Sequence, residues 1–160
     1  MKTSTNRADS SVHVVALYQD KTTKRTSIPL IRSQFSRNFN WRLPGGITTT
    51  GETIEQTAKR SLNEKTGLAE SGLLQLHVFN RASVTDTSKD HHVYLFAANI
   101  ESLDAFYPFT VCRGKGLQSA IFSLDEIFRY IEKRVKLNGY EMMNSHEKSL
   151  RVAFEQIRAL

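Results

Sequence analysis

One stretch of the chain declares its own start, buried face and end: TIEQTAKRSLNEKTG, residues 53–67. Thr53 and Gln56 stand at the T-x-x-Q spacing of a capping box, in which hydroxyl and amide satisfy backbone amides that a first helical turn leaves unpaired. Ile54, Ala58 and Leu62 recur every fourth residue and make one apolar stripe. Gly67 falls where a glycine closes a helix in the left-handed conformation. A helix with a single apolar stripe has to cover another element, and the flanking sequence supplies strands for it to cover.

SVHVVALYQD (11–20) is rich in β-branched residues and alternates as a strand does, and DKTTK turns the chain into a second strand near residues 25–32. Pro29 has no amide to give a ladder, so an edge or bulge position is expected for it. NFNWRLPGG (38–46) reads as a short extended stretch ending in a Pro-Gly-Gly breaker, with a special backbone angle expected at Gly46. LLQLHVFNRASV and HHVYLFAANI are two strands joined by the polar TDTSKD, and SAIF is one more short strand. Ser123 and Glu126 form a second capping box ahead of DEIFRYIEKRV, and a last helix begins near Asn144 with Leu150, Phe154, Ile157 and Leu160 on one face. Strands before, between and after helices predict an α/β chain, a sandwich of helices over a mixed β-sheet. A chain of 160 residues holds one such core and not two. We expect a flexible tail over residues 1–11 and a single domain over 12–160 that includes the C-terminal helix.

The longest apolar runs, such as Tyr94 to Ala98, fall far short of a membrane span, so no membrane partner is expected. MKTSTNRADSS holds no apolar h-region of a secretory leader. Cys112 is the single cysteine, which suits a reducing cytoplasm. Lysine and arginine exceed aspartate and glutamate by 22 to 16, a net charge of +6 that favours anionic partners, nucleotides and polyphosphates among them. For nucleic acid this charge is the whole case, since no basic run is long enough for a binding arm. A homodimer is compatible with the sequence and not specified by it.

The segment WRLPGGITTTGETIEQTAKRSLNEKTGL, residues 41–68, resembles the Nudix box, G-x5-E-x7-R-E-U-x-E-E-x-G-U with U a bulky apolar residue. Gly46, Glu52, Arg60, Leu62, Glu64, Gly67 and Leu68 match the pattern. Ser61 and Lys65 stand where the family has glutamates. The resemblance implies a Nudix-type α/β/α sandwich and a helix whose carboxylates hold magnesium or manganese, which bridges a substrate diphosphate and activates water. A hard dication takes oxygen ligands. At positions 61, 64 and 65 this chain offers a hydroxyl, a carboxylate and an ammonium, so the negative charge of the family cluster is cancelled.

The candidate residues follow from that comparison. Glu64, Glu52 and Arg60 would carry catalysis, with Glu64 and Glu52 holding a weakly bound Mg2+ or Mn2+ if the protein is active, and no metal otherwise. Gly45, Gly46, Lys65, Ser61 and Arg42 would contact the ligand. Helical spacing is expected to project Ser61, Glu64 and Lys65 from one side and to let Arg60 reach Glu64. Asp86, Asp90 and Glu141 are loop carboxylates that no pattern places at the site. Arg32, Arg37 and Arg42 suit phosphate or solvent equally. Trp41 and Phe39 suit a base or the core, and for His91 and His92 solvent exposure is expected, because they lack spaced metal-ligand partners. What the resemblance implies is binding of a nucleoside diphosphate linked to another group, with hydrolysis weakened. The alternative is a non-catalytic nucleotide-sensing or protein-interaction module on the same fold.

Overall fold

The computed structural model describes residues 10–33, 40–82, 90–112 and 115–158, without the side chains of residues 81, 82, 90, 112, 115 and 158. Strand β1 (Ser10–Gln19) is the axis of the molecule, and β2 (Thr26–Ser33), β3 (Gly45–Ile47), β4 (Gly72–Ala82), β5 (Asp90–Ile100), β6 (Phe109–Cys112) and β7 (Lys115–Ser123) complete a seven-stranded sheet. The order is β4-β5-β1-β2-β7-β6, with β3 also paired to β1. β1 runs parallel to β5, and the other ladders are antiparallel, so the sheet is mixed as expected.

Alternation along β1 divides the core. Val12, Val14 and Ala16 turn to one face and pack with Phe96 and Ala98 of β5 and with Ala58 and Leu62 of helix α1 (Ile54–Thr66). Val15 turns to the other, with Trp41, Phe122, Ile127 and Tyr130 of α2 (Leu124–Lys133), and Leu150 and Phe154 of α3 (Asn144–Arg158). A sheet buried on both faces needs apolar residues at successive positions, and VHVVAL supplies them. The result is an α/β/α sandwich.

The helix ends follow the sequence closely. Thr53–Gln56 and Ser123–Glu126 both form reciprocal capping boxes, and Gly67 closes α1 at φ +80, its amide donating to the Asn63 carbonyl. α2 stops earlier than DEIFRYIEKRV suggests, because Arg134 takes the left-handed cap position at φ 56. Leu150, Phe154 and Ile157 pack against the sheet, while Leu160 lies outside the described residues.

Four expectations need correction. Ser10 and Ser11 belong to β1, so the first strand starts ahead of residue 12. Pro29 sits in an interior strand, opposite Ile121 of β7. Amides of alternate residues point to the same side of a strand, and Ile31 turns its amide away from β7 to the Arg42 carbonyl. Pro29 therefore directs its missing donor into the gap between Ser27, where pairing with β1 ends, and the Ile31–Arg42 bridge. β6 was not foreseen, and β7 is longer than SAIF, since Gly116 and Gln118 break the apolar pattern while pairing with β6 and β2 extends the strand past it. The loop TDTSKD falls almost wholly outside the described residues, which also leave out Asp86, Arg37 and Phe39.

That gap positions the site. One side of β1 pairs with β2 only at Tyr18 and Gln19, and with β3 only at Ser11, Val12 and His13. Between the two the sheet forks, and residues 41–44 run through the opening, tied by Val14 N–H to the Pro44 carbonyl at 2.8 Å.

Candidate functional site

A cavity of about 190 Å3 opens at the fork, lined chiefly by His13, Arg42, Gly45, Gly46, Lys65 and His146. Lys65 comes from α1 and His146 from α3, helices on opposite faces of the sheet, so the cleft is reached from both layers.

Gly45 is the residue that lets the wall form. A Cβ there would lie 2.0 Å from the Val12 carbonyl oxygen, whereas one at Gly46 would meet Lys65 Nζ at 3.3 Å. The special backbone angle in this region is at Gly51, φ +84, and not at Gly46, which corrects the reading of the Pro-Gly-Gly turn. Lys65 donates its ammonium to the Gly45 carbonyl, while its own backbone carbonyl accepts from Ser119 Oγ at 2.9 Å. The ammonium end of this lysine is thus held at the cleft wall, and its backbone is tied to β7. Arg42 is half-buried beside it, and burial pushes its guanidinium below the ordinary arginine value.

The polar residues of α1 do not share one side. Ser61 is 0% exposed, and its hydroxyl turns back to the Thr57 carbonyl at 2.7 Å. It does not line the cavity. Glu64 faces outward, its side chain 40% exposed, and pairs with Arg60 at 3.2 Å as expected. Lys65 alone of the three reaches the cleft.

Glu52 is the hub of a second cluster. Arg60 grips it through Nε to Oε2 at 2.7 Å and Nη2 to Oε1 at 3.0 Å. Thr57 Oγ1 donates to Oε1 at 2.7 Å, and Thr49 adds its hydroxyl at 3.1 Å. The Arg60 hydrogen bonds hold the Glu52 carboxyl down at about 2. Arg60 also donates to the Ile47 carbonyl, so the cluster ties the loop after β3 to α1. Among the described residues, no three His, Cys, Asp or Glu side chains gather where they could hold a metal ion together.

The remaining candidates lie elsewhere. Arg32 stacks on Tyr140, its guanidinium 3.8 Å from the ring centroid, and donates to Gln118. Trp41 is 1% exposed and donates its indole N–H to the Leu137 carbonyl, a core residue and not a base platform. His91 and His92 are partly buried, and contact Ser11 and Asn80 respectively, the second at an exposed position. Glu141 pairs with Arg134. The side chains of Asp90 and Cys112 are outside the described residues.

Sequence reading missed His13 and His146. Their rings stack with centroids 3.8 Å apart and planes inclined by 23°. His13 Nδ1 meets Ser149 Oγ at 2.8 Å, and His146 Nδ1 accepts the Leu43 amide at 3.0 Å. A single histidine within a strand and another in the first turn of a remote helix carry no spacing signal, and only the fold brings them together.

No curated protein matches the chain by sequence. Among solved structures, the NUDIX domain of Shewanella oneidensis NrtR, in a cocrystal with ADP ribose, superposes with a TM-score of 0.67 at 17% identity, covering 92% of this chain and 87% of that one. A Caenorhabditis elegans Ap4A hydrolase, in a binary complex, gives 0.63 at 12% identity over 94% and 98%. A UDP-X diphosphatase gives 0.62 at 16% identity over 94% of this chain and 63% of its own. At such identities these likenesses speak for the fold. The family model of the NUDIX domain matches residues 8–142, and on that match the chain belongs to the Nudix family.

Proposed function

We propose that this protein binds a nucleoside diphosphate linked to another group, seating the diphosphate in the cleft at the fork of the sheet, and that its metal-assisted hydrolysis is weak. The observation that carries the reading is the Lys65 ammonium, held on the Gly45 carbonyl at the cleft wall, where the family pattern has a glutamate. Arg42 adds a second cation. Lysine and arginine are general phosphate partners, the first as a point charge and the second as a fork. A cavity of about 190 Å3 is below the range of about 300–1,000 Å3 that encloses whole small ligands, so it suits a diphosphate with the nucleoside outside. The names of the structural neighbours support this class, since ADP ribose, Ap4A and UDP-X all contain nucleotides.

The residues present do not fit a tightly held dication. Of the two carboxylates that would hold Mg2+ or Mn2+, Glu52 gives both oxygens to Arg60, and Glu64 shares the same guanidinium. Lys65 neutralises the position next to Glu64. An ammonium can offset phosphate charge but cannot supply an activated water, so binding and chemistry separate.

The test is a panel of ADP-ribose, UDP-glucose and diadenosine tetraphosphate, with turnover and melting temperature followed in magnesium and in chelator. The expected result is a melting shift in chelator with turnover in magnesium well below the 1–1,000 s−1 usual for enzymes. Turnover within that range, together with a melting shift that needs magnesium, overturns the reading in favour of an ordinary Nudix hydrolase.

A further inference from the structure

We infer that this chain forms a two-fold dimer in which the outer edge of β4 pairs antiparallel with the same strand of a second copy, Leu74 meeting Leu74 at the centre. The inference concerns a surface away from the ligand cleft and stands whether or not a nucleotide binds there. Three observations carry it.

The first is the edge. Among the described residues the sheet ends at β4, which pairs with β5 and with no other strand. A marginal strand presents a row of amides and carbonyls to any further strand, and proteins shorten, charge or bulge such edges to prevent pairing. β4 is 11 residues long, and from Gly72 to Asn80 it holds no lysine, arginine, aspartate or glutamate. The opposite margin, β6, has 4 residues.

The second is the apolar floor beside that edge. Gly72, Asn99 and Leu17 make one row across β4, β5 and β1, and Leu74, Ala97 and Val15 make the next on the same face. Val15 belongs to the core beneath α3, so this is the α3 face of the sheet. The helix leaves its margin open. Ile157 borders a groove of about 380 Å3, lined chiefly by Leu17, Leu74, Leu76 and Ala97. Leu74 is 57% exposed, and a Cβ added at Gly72 would meet nothing within 4 Å.

The third is the fit of a second copy. A two-fold axis needs a patch that complements itself, and here an exposed leucine and an open apolar gap lie two residues apart on one strand. An axis normal to the sheet and centred on Leu74 sets Gly72 opposite Leu76 and Leu73 opposite Gln75. Each Leu74 then packs against its copy and diagonally over the gap at the other Gly72. The β-bulge between Gln75 and His77 ends this pairing before Arg81 is reached, so like charges do not meet at the seam. A chain of net charge +6 needs that of any self-association.

The test is the mass of the full chain by sedimentation and light scattering over a wide concentration series, with hydrogen exchange of the β4 amides followed along it. The expected result is a dimer with no larger species, and amides within Leu73–Gln75 whose exchange slows as the dimer forms. Leu74→Glu sets two carboxylates face to face and is expected to weaken dimerisation at least about a hundredfold, roughly tenfold for each leucine lost. Val111→Glu, at an exposed position on the opposite margin, is expected to leave it unchanged. A monomer at every concentration overturns the inference, and so does an open series of larger species. A dimer that Leu74→Glu leaves equally tight also overturns it, because its interface then lies elsewhere. If Leu74→Glu fails to fold, the wild-type exchange decides: a dimer whose Leu73–Gln75 amides exchange no more slowly than the monomer's overturns the inference.

Discussion

Gly45 and Glu52 show how much of the site is backbone and how much is charge. A methyl group at Gly45 collides with the Val12 carbonyl, whereas one at Gly46 asks only the end of the Lys65 side chain to move. Gly45→Ala is therefore expected to lower the melting temperature markedly, by about 2 kcal/mol or more as overpacking does, and Gly46→Ala by little. Thermal unfolding of the two variants side by side checks this, and equal losses would contradict the wall geometry. Glu52 behaves differently because its carboxyl is held at about 2, below the ordinary 4.5, by the Arg60 hydrogen bonds. The stabilisation from this cluster is complete above 4.5 and drains away as pH falls toward 2. Glu52→Gln should cost about 1–2 kcal/mol at neutral pH, the worth of a charged hydrogen-bonded pair, and nearly nothing near pH 2. Denaturant titrations across that range test it, and a difference that stays constant with pH would mean the pairing with Arg60 is not its source. Glu52 was legible in the sequence as a member of the box, and Gly45 as part of the Pro-Gly-Gly turn that leads into it. Their physical roles were not, because a glycine's steric need depends on which strand lies opposite it, and a carboxylate's on which guanidinium reaches it.

At the level of elements, the helix starts and the α1 stop were legible in the sequence, and the non-local pairings were not. Both capping boxes and the Gly67 stop are short-range devices, and the structure reproduces them. The pairing of β6 with β7, the fork at β1 and the place of Pro29 depend on partners far along the chain, which periodicity does not report. The contact between α2 and α3 is of the same kind. Tyr130 sends its hydroxyl to Glu147, accepts the Met142 amide at 2.9 Å, and lies beneath Arg134, which itself holds Glu141 and Glu147. Tyr130→Phe removes the acceptor of a buried amide and should destabilise by about 1–3 kcal/mol. Because α3 carries His146 and Ser149, that loss should also loosen the cleft at the fork of the sheet. Hydrogen exchange of the Met142 amide and of the first turn of α3 measures both effects, and unchanged protection there would show that the tyrosine hydroxyl does not fasten the two helices.

For the molecule as a whole, a parallel pair at the centre of a mixed sheet, with one helix on one face and two on the other, leaves the fork of β1 as the opening that both layers reach. The family resemblance anticipated the glycine wall and the altered helix positions. It did not anticipate that Ser61 would be buried, that Lys65 would turn to the Gly45 carbonyl, or that two histidines 133 positions apart would stack across the cleft. The central claim is that a lysine stands where the family holds its metal and supports binding without it. Titration of ADP-ribose into wild type and Lys65→Ala, both in chelator, tests that claim most directly. The account predicts saturable binding to the wild type and at least about tenfold weaker binding to the variant, the loss of one charge-assisted contact of about 1.4 kcal/mol or more. Equal affinity in chelator for the two proteins would contradict it and make Lys65 a structural residue of the cleft wall only.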